Sequence, residues 1–441
     1  MSILEMLPEI LEKARAEYTS TKAVKYDPAI SFREGNPAGD IFKGDNLPLV
    51  KMLIDGDESL GIASLAGKVQ LIYIDPPFYS GSDYVSSKKA GEQGLTLKQT
   101  AYPDRWNGDM YEYLTMLTVR ILAMKELLSE TGSLWLHLDW HAVHYAKVLL
   151  DEIFGPENFI NEIIWNYKSG GSTKRHFSRK HDTLLFYAKS KNYYFNPIKE
   201  KSYNRGLKPY HFKGVEEFCD ENGWYTMVNM KDVWPIDMVG RTSSERTGYA
   251  TQKPEALLRR IIESCTRPND MVADFFGGSG TLAAVAADTG RTFIHADAGD
   301  LSIAGTMKRL MASGHRFRYF EAKDGSGKIS EDAPKAILKK DAKTGDIVLE
   351  SYKIPHLEKL PLDQKSMENA KKLEETNPLG LVDFWAVDYN YNDMVFQPQR
   401  IMTGNCGKIQ SICESDPKAE NPAVLTADVF GMIQITQNFI E

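Results

Sequence analysis

Asp75, Pro76, Pro77 and Phe78 put a carboxylate, two ring-locked residues and a flat aromatic face at the end of an apolar run. Proline lacks an N–H and has a fixed φ, so the pair offers its carbonyls rigidly. The Asp75 carboxylate and the Pro76 carbonyl then form an acceptor pair beside the Phe78 ring. That set suits a planar group carrying an NH2 whose lone pair is delocalised into a ring. Two acceptors holding the amino hydrogens draw the nitrogen towards tetrahedral geometry and free its lone pair for attack, while the aromatic face stacks on the ring. Asp-Pro-Pro is also ordinary turn chemistry, so other stretches have to decide.

The elements that must position these residues are legible around them. Val69 to Ile74 is mostly β-branched or aromatic and uncharged, the pattern of a strand buried on both faces of a parallel sheet. Ligands bind at the carboxyl ends of such strands. A second strand end, Ile41-Phe42-Lys43, runs into Gly44-Asp45-Asn46 and an amphipathic helix. There Asp45 is an acceptor for an amino group and Gly44 permits close backbone approach, although Gly-Asp-Asn is a common turn as well. The polar, glycine- and lysine-containing segment 79–104 reads as a mobile flap. A helix over 111–129, a strand over 133–139 and a helix over 141–153 follow. His137, Asp139, His141 and His144 cluster here without metal-site spacing, and packing and helix-start polarity account for them.

A third stretch supplies a ligand-binding turn. Asp274-Phe275-Phe276 ends a strand that breaks at Gly277-Gly278-Ser279-Gly280-Thr281 and passes into a helix, and the next strand ends in Asp297. Gly278-x-Gly280-x-x-Ala283 with an acid nineteen residues after Gly278 fits a dinucleotide fingerprint. Glycines let a ligand touch the backbone, the helix amino terminus favours an anionic group, and the acid binds ribose hydroxyls. NAD and S-adenosylmethionine both present an adenosine to such a turn, so the glycines alone do not choose. Ahead of it, Thr251-Gln252-Lys253-Pro254 opens a helix that runs to about Cys265.

Composition bounds the setting. The 441 residues carry a net charge of −7, with 42% hydrophobic and 26% charged residues, which suits a globular protein of two or three domains. No apolar run of about 18 residues is present and the first twenty residues lack the pattern of a signal peptide, so a cytoplasmic protein (prokaryotic or phage-like) away from membranes is expected. Cys219, Cys265, Cys406 and Cys413 make no C-x-x-C pair and read as reduced thiols. The charge is segregated: residues 165–215 hold twelve Lys or Arg against two acids, whereas residues 321–441 hold fourteen against twenty. A basic segment with interleaved aromatics suits a polyanion, its cations meeting phosphates and its rings meeting bases. The candidates for phosphate contact are Lys168, Lys174, Arg175, Arg179, Lys180 and Arg205. Acidic balance in the last segment argues against direct phosphate contact and for a scaffold or subunit-contact role.

Taken together, these stretches resemble a known family. Asp75-Pro-Pro-Phe78 resembles motif IV, (D/N/S)-P-P-(Y/F/W), of the amino methyltransferases that methylate adenine N6 or cytosine N4 in DNA. Asp274-Phe-Phe-Gly-Gly-Ser-Gly-Thr281 resembles their motif I, D-x-F-x-G-S-G-T, and Thr251-Gln-Lys-Pro254 their motif X. The catalytic motif precedes the cofactor motif, as in the β-class of DNA amino methyltransferases, and Gly44-Asp45-Asn46 with residues 133–139 looks similar to modification subunits of type III restriction systems. Phe78-Tyr79-Ser80-Gly81 departs from the Tyr-Asn-Thr-Gly usual there; the ring is kept and a hydroxyl contact is lost.

Over about residues 40–320 the resemblance implies an α/β, Rossmann-like, doubly wound sheet in circularly permuted order. The division it suggests is a lead-in (1–40), a catalytic half (41–165), a target-recognition insert (166–249), a cofactor half (250–320) and a C-terminal accessory domain (321–441). It further implies that Asp75, Pro76, Pro77 and Phe78 engage a flipped base. S-adenosylmethionine would lie among Asp45, Asn46, Thr251–Pro254, Asp274–Thr281 and Asp297, with Lys253 meeting its methionine carboxylate. Asp at the first position of motif IV favours adenine N6 over cytosine N4. Double-stranded DNA is the implied partner, with room for a homodimer and a restriction subunit. An RNA or protein-amide methylase, or a catalytically silent DNA-binding paralogue, would be built on the same residues.

Overall fold

Each residue from Val69 to Ile74 is buried, with alternate side chains feeding opposite faces of one sheet. Ile72 and Ile74 join one hydrophobic core and Leu71 and Tyr73 another. A computed structural model describes residues 2–168, 173–240, 242–323, 333–404, 408–416 and 419–440. Among them eleven strands form this sheet. In chain order they are β1 (Ile30–Phe32), β2 (Gly39–Lys43), β3 (Val69–Ile74), β4 (Leu128–Leu138), β5 (Phe159–Asn166), β6 (His181–Ala188), β7 (Val233–Pro235), β8 (Met271–Asp274), β9 (Thr292–Asp297), β10 (Phe317–Glu321) and β11 (Val395–Phe396).

Across the sheet the order is β7-β5-β6-β4-β3-β8-β9-β2-β10-β1-β11. The six strands from β4 to β10 are parallel. From β3 the chain proceeds outward to β4, and from β8 it proceeds the other way to β9, so the switch point lies between β3 and β8. Leu71 pairs with Val272 and Ile72 with Ala273. The strand ends carrying Asp75 and Asp274 therefore open side by side, although the two residues are far apart in the chain. Helices Asn46–Asp55 and Met110–Leu127 contribute to the core on one face, and Glu255–Cys265, Thr281–Asp288 and Asp300–Ala312 to the core on the other.

Three regions differ from the sequence reading. Segment 79–104 contains an antiparallel hairpin, Tyr84–Ala90 with Leu95–Tyr102. Ala90 and Leu97 are buried in a third core built mainly from residues beyond 337, and the Lys88 ammonium meets the Asp383 carboxylate at 2.9 Å. The flap is thus a docked hairpin; its short alternation was hidden among Lys, Ser and Gln. Insert 166–249 is divided, because β6 returns to the sheet between β5 and β4 and β7 pairs with β5. Outside the sheet stand the segment 173–180 and a small three-stranded sheet of Lys199–Tyr203, Glu217–Asp220 and Gly223–Asn229.

Residues beyond 321 build two four-stranded sheets and most of the third core, and they also join the main sheet. β11 pairs in parallel with β1, and Phe384, Phe396 and Leu425 lie in the core that covers Leu71 and Tyr73. Asp383 binds Lys88 of the hairpin and Lys308 of helix Asp300–Ala312, tying three parts of the chain together. Among the described residues Cys219 is exposed and Cys265 and Cys413 are buried free thiols, while Cys406 lies outside them. No described helix is long and apolar enough to cross a membrane.

Candidate active site

Asp75 follows β3 directly, and its partners come from other parts of the chain. One oxygen, Oδ2, is held by the Lys253 ammonium, a pair whose partners are both largely buried. The other, Oδ1, is buried and has no hydrogen-bond partner among the described residues. Lys253 also lies 5.2 Å from the centroid of the Phe78 ring. The Pro77 carbonyl accepts a hydrogen bond from the Tyr113 hydroxyl at 2.7 Å, which anchors the diproline to helix Met110–Leu127.

The glycine turn is shaped by what packs behind it. Gly278 N–H donates to Asp297 Oδ2 and Gly299 N–H to Asp297 Oδ1, both at 2.8 Å. A Cβ on Gly277 would strike the buried His295 ring, whose pKa burial pushes down to about 3, so the ring is neutral. Gly280 has φ +69°, and a Cβ there would collide with Thr306. Gly280→Ala is therefore expected to combine a left-handed backbone penalty with overpacking, costing about 2–4 kcal/mol. Urea unfolding of the purified variant checks this; a native midpoint would show that Thr306 moves aside freely.

A cavity of about 420 Å³ joins the two halves. Of the residues singled out from sequence, its lining includes Asp45, Asn46, Asp75, Pro77, Thr251, Lys253, Asp274–Ser279, Thr281 and Asp297. Pro76, Phe78, Gln252, Pro254 and Gly280 are not among its lining residues. Gln252 is spent on the preceding loop, accepting from Thr247 N–H at 2.8 Å and donating to the Glu245 carbonyl at 2.6 Å. Asp45 caps helix Asn46–Asp55 through Leu47 N–H and binds Arg120, while Asn46 donates to the Phe275 carbonyl at 2.6 Å and so straps the β2 end to the glycine turn. Asp274 is held well above the usual carboxylate range by burial, and the nearby Asp75 and Asp297 push in the same direction.

Residues missed in the sequence add to the lining, among them Tyr73, Tyr102, Trp106, Arg120 and Tyr249. Arg120 carried a signal, being the lone charge in the mostly buried run Leu114–Met124 of its helix. Tyr249 carried none; it faces Gly278, where an added Cβ would stand 3.4 Å from its ring. His137 was read as packing, yet its ring nitrogens face the Tyr73 hydroxyl at 2.8 Å and the Asp182 carboxylate at 3.3 Å, next to Asp75.

The basic candidates lie away from the cavity lining. Lys174, Arg175 and Arg179 are exposed on segment 173–180, where Phe177 is 98% exposed and Arg179 lies 3.9 Å over the Trp140 ring. Lys168 is engaged with Asp237 at 3.6 Å, the Lys180 carbonyl accepts from Tyr167 N–H at 3.0 Å, and Arg205 lies beside the small sheet, its N–H bonded to the Tyr210 hydroxyl.

The chain is similar to several known proteins. Type II methyltransferase M.EcaI of Enterobacter cloacae is 27% identical over 334 residues, covering 62% of this chain and 72% of that protein. DNA adenine methyltransferase YhdJ of Escherichia coli (strain K12) is 27% identical over 290 residues, covering 64% and 86%. Among solved structures, the M1.HpyAVI-SAM complex matches with a TM-score of 0.38 at 20% identity, covering 62% of this chain and 98% of that one. The cytosine-N4-specific PvuII DNA methyltransferase matches with a TM-score of 0.42 at 14% identity, covering 65% and 90%. A family model described as DNA methylase matches residues 69–302, more than half of the chain, from the first residue of β3 to the helix after β9. The chain belongs to this family of amino methyltransferases, which use S-adenosylmethionine to methylate DNA.

Proposed function

We propose that this chain is a site-specific adenine-N6 DNA methyltransferase in which Asp75 and Pro76 receive the amino group of a flipped adenine against the Phe78 ring. The observation that carries this reading is the single cavity lined both by Asp75 and by the Gly277–Ser279 turn. An acceptor for an amino group and a backbone cradle for a nucleoside share one space. The residues fit S-adenosylmethionine: the glycines leave room at the backbone, Asp297 stands at the end of the neighbouring strand, and Lys253 offers a cation for a carboxylate. When bound there, the cofactor supplies an electrophilic methyl group on a sulfonium.

The residues of the chain do the rest. Asp75 and the Pro76 carbonyl hold the amino hydrogens, freeing the nitrogen lone pair, and Phe78 fixes the ring plane. Lys253 has three N–H donors, so it can keep Asp75 Oδ2 oriented and still meet an incoming carboxylate. The base reaches this sheet edge only by leaving the duplex, at a cost of a few kcal/mol. Lys174, Arg175 and Arg179, with Lys168, Lys180 and Arg205 along the same basic stretch, take phosphates of the duplex away from the cavity.

Asp at the head of the motif favours adenine, and YhdJ carries the adenine name among the relatives. Single-molecule sequencing of DNA from cells with and without the gene tests it. A modified adenine at one fixed sequence is expected. Modified cytosine would overturn the base assignment, and methylated RNA without methylated DNA would overturn the substrate.

A further inference from the structure

Asp75 sits in front of a second ionisable assembly that the methyl-transfer reading above leaves unused. His137, at the end of β4, is fully buried. Its Nδ1 lies 2.8 Å from the Tyr73 hydroxyl and 3.8 Å from Asp75 Oδ1, the oxygen with no partner. On the far side its Nε2 faces Asp182 Oδ2 at 3.3 Å, and the Tyr167 hydroxyl donates to Asp182 Oδ1 at 3.0 Å. These groups come from β3, β4, β6 and the end of β5, and they line up from the reacting edge to a partly exposed carboxylate, the 3.8 Å between Asp75 and His137 being longer than a hydrogen bond.

The charge states give the path a direction. Asp182 is largely buried, which alone would raise its pKa, yet the hydrogen bond with His137, together with Lys253 and Tyr167, holds it below the usual carboxylate range. An ionised Asp182 takes the Nε2–H, leaving Nδ1 with its lone pair towards Tyr73 and Asp75. Burial holds the Tyr73 hydroxyl well above its usual value, with Asp75, Asp274 and Asp182 adding to the shift, so it is a neutral donor. Lys253 reaches the assembly through Asp75, and the Phe78 and Trp165 rings close its sides.

We propose that His137, backed by Asp182, is the proton acceptor behind Asp75; this rests on the reading of Asp75 given above. Once methylated, the amino nitrogen carries one proton too many. That proton passes to the Asp75 carboxylate and from Oδ1 to His137 Nδ1, the Tyr73 hydroxyl rotating aside. The imidazolium formed is stabilised by the Asp182 anion and gives its Nδ1 proton to solvent once product has left, which restores the Nε2–H tautomer. Asp75 returns to the anion that the next amino group requires. His137 touches neither base nor cofactor in this scheme and is a positioning and proton-storing residue.

His137→Asn is the informative variant, because its amide oxygen can keep the Tyr73 hydrogen bond while storing no proton. Methylation of unmethylated plasmid DNA with radiolabelled S-adenosylmethionine, measured across pH, is expected to show kcat lower by about 10²-fold with both KM values within about twofold of native. The acid limb of the kcat profile is expected to move down by about one pH unit or more. Asp182→Asn should move the same limb in the same direction. Native kcat and an unmoved limb in both variants would overturn the proposal, as would a loss equal at every pH in variants that melt like the native protein. Asp75→Asn run alongside separates the two readings. If it stays fully active, the role of Asp75 itself is wrong; if it is inactive while the other two behave as native, only the relay falls.

Discussion

An Asp75→Asn enzyme is expected to lose about 10³-fold in methyl-transfer rate while S-adenosylmethionine binding, measured by calorimetry, stays within about tenfold of native. The substitution keeps the shape of the side chain and removes its charge, so the amino hydrogens lose the stronger of their two acceptors. Charge-assisted hydrogen bonds are roughly twice as strong as neutral ones, and the low-dielectric strand end enlarges the difference. Asp75→Ala is the harsher variant. It leaves the Lys253 ammonium buried against Phe78 without its carboxylate, and breaking such a pair costs about 3–5 kcal/mol. Stability would fall together with activity there, and the two effects would be hard to separate. Asn at this position still offers Lys253 a neutral oxygen and so lessens that loss, and a variant that methylates DNA at the native rate would remove Asp75 from the chemistry.

Asp75 could be found in the sequence because local chemistry and strand pattern point to the same place. A doubly buried strand is written in consecutive residues, Val69 to Ile74, and two prolines mark where it stops. The glycine turn is legible for the same reason: Gly280 needs a left-handed φ, and that need falls on one residue type. Contacts made across the fold leave no such trace. Lys253 was read as a partner for a carboxylate, but nothing in Thr-Gln-Lys-Pro says that the nearest carboxylate is Asp75, which only the β3–β8 pairing brings within reach. His137 looks like one of several histidines until β6 sets Asp182 behind it. The hairpin after Phe78 was hidden differently. Its buried positions, Ser86, Ala90 and Leu97, are few and mixed in type, because their cover comes from another part of the chain.

That dependence makes the second large effect one of folding. A chain ending at Lys323 is expected to give no soluble protein that binds S-adenosylmethionine, although every motif of the family lies before that point. The truncation removes β11, the neighbour of β1, and takes Phe384, Phe396 and Leu425 out of the core that packs on Leu71 and Tyr73. Each such side chain contributes about 1.5–3 kcal/mol by burial. Three of them, with the aromatic contact between Phe32 and Phe396 at 5.9 Å, already approach the roughly 5–15 kcal/mol by which a domain is stable. The hairpin loses more: Ala90 and Leu97 become exposed, and Lys88 and Lys308 lose the carboxylate of Asp383 between them. Because Tyr102 of that hairpin lines the cavity, the damage reaches the cofactor before it reaches the motifs. Expression of residues 1–323 followed by thermal melting and calorimetry with S-adenosylmethionine measures this. A truncated chain that melts cooperatively near the native temperature and still binds the cofactor would show that the residues after 323 decorate the fold; insoluble material or a broad, cofactor-insensitive transition would show that they complete it.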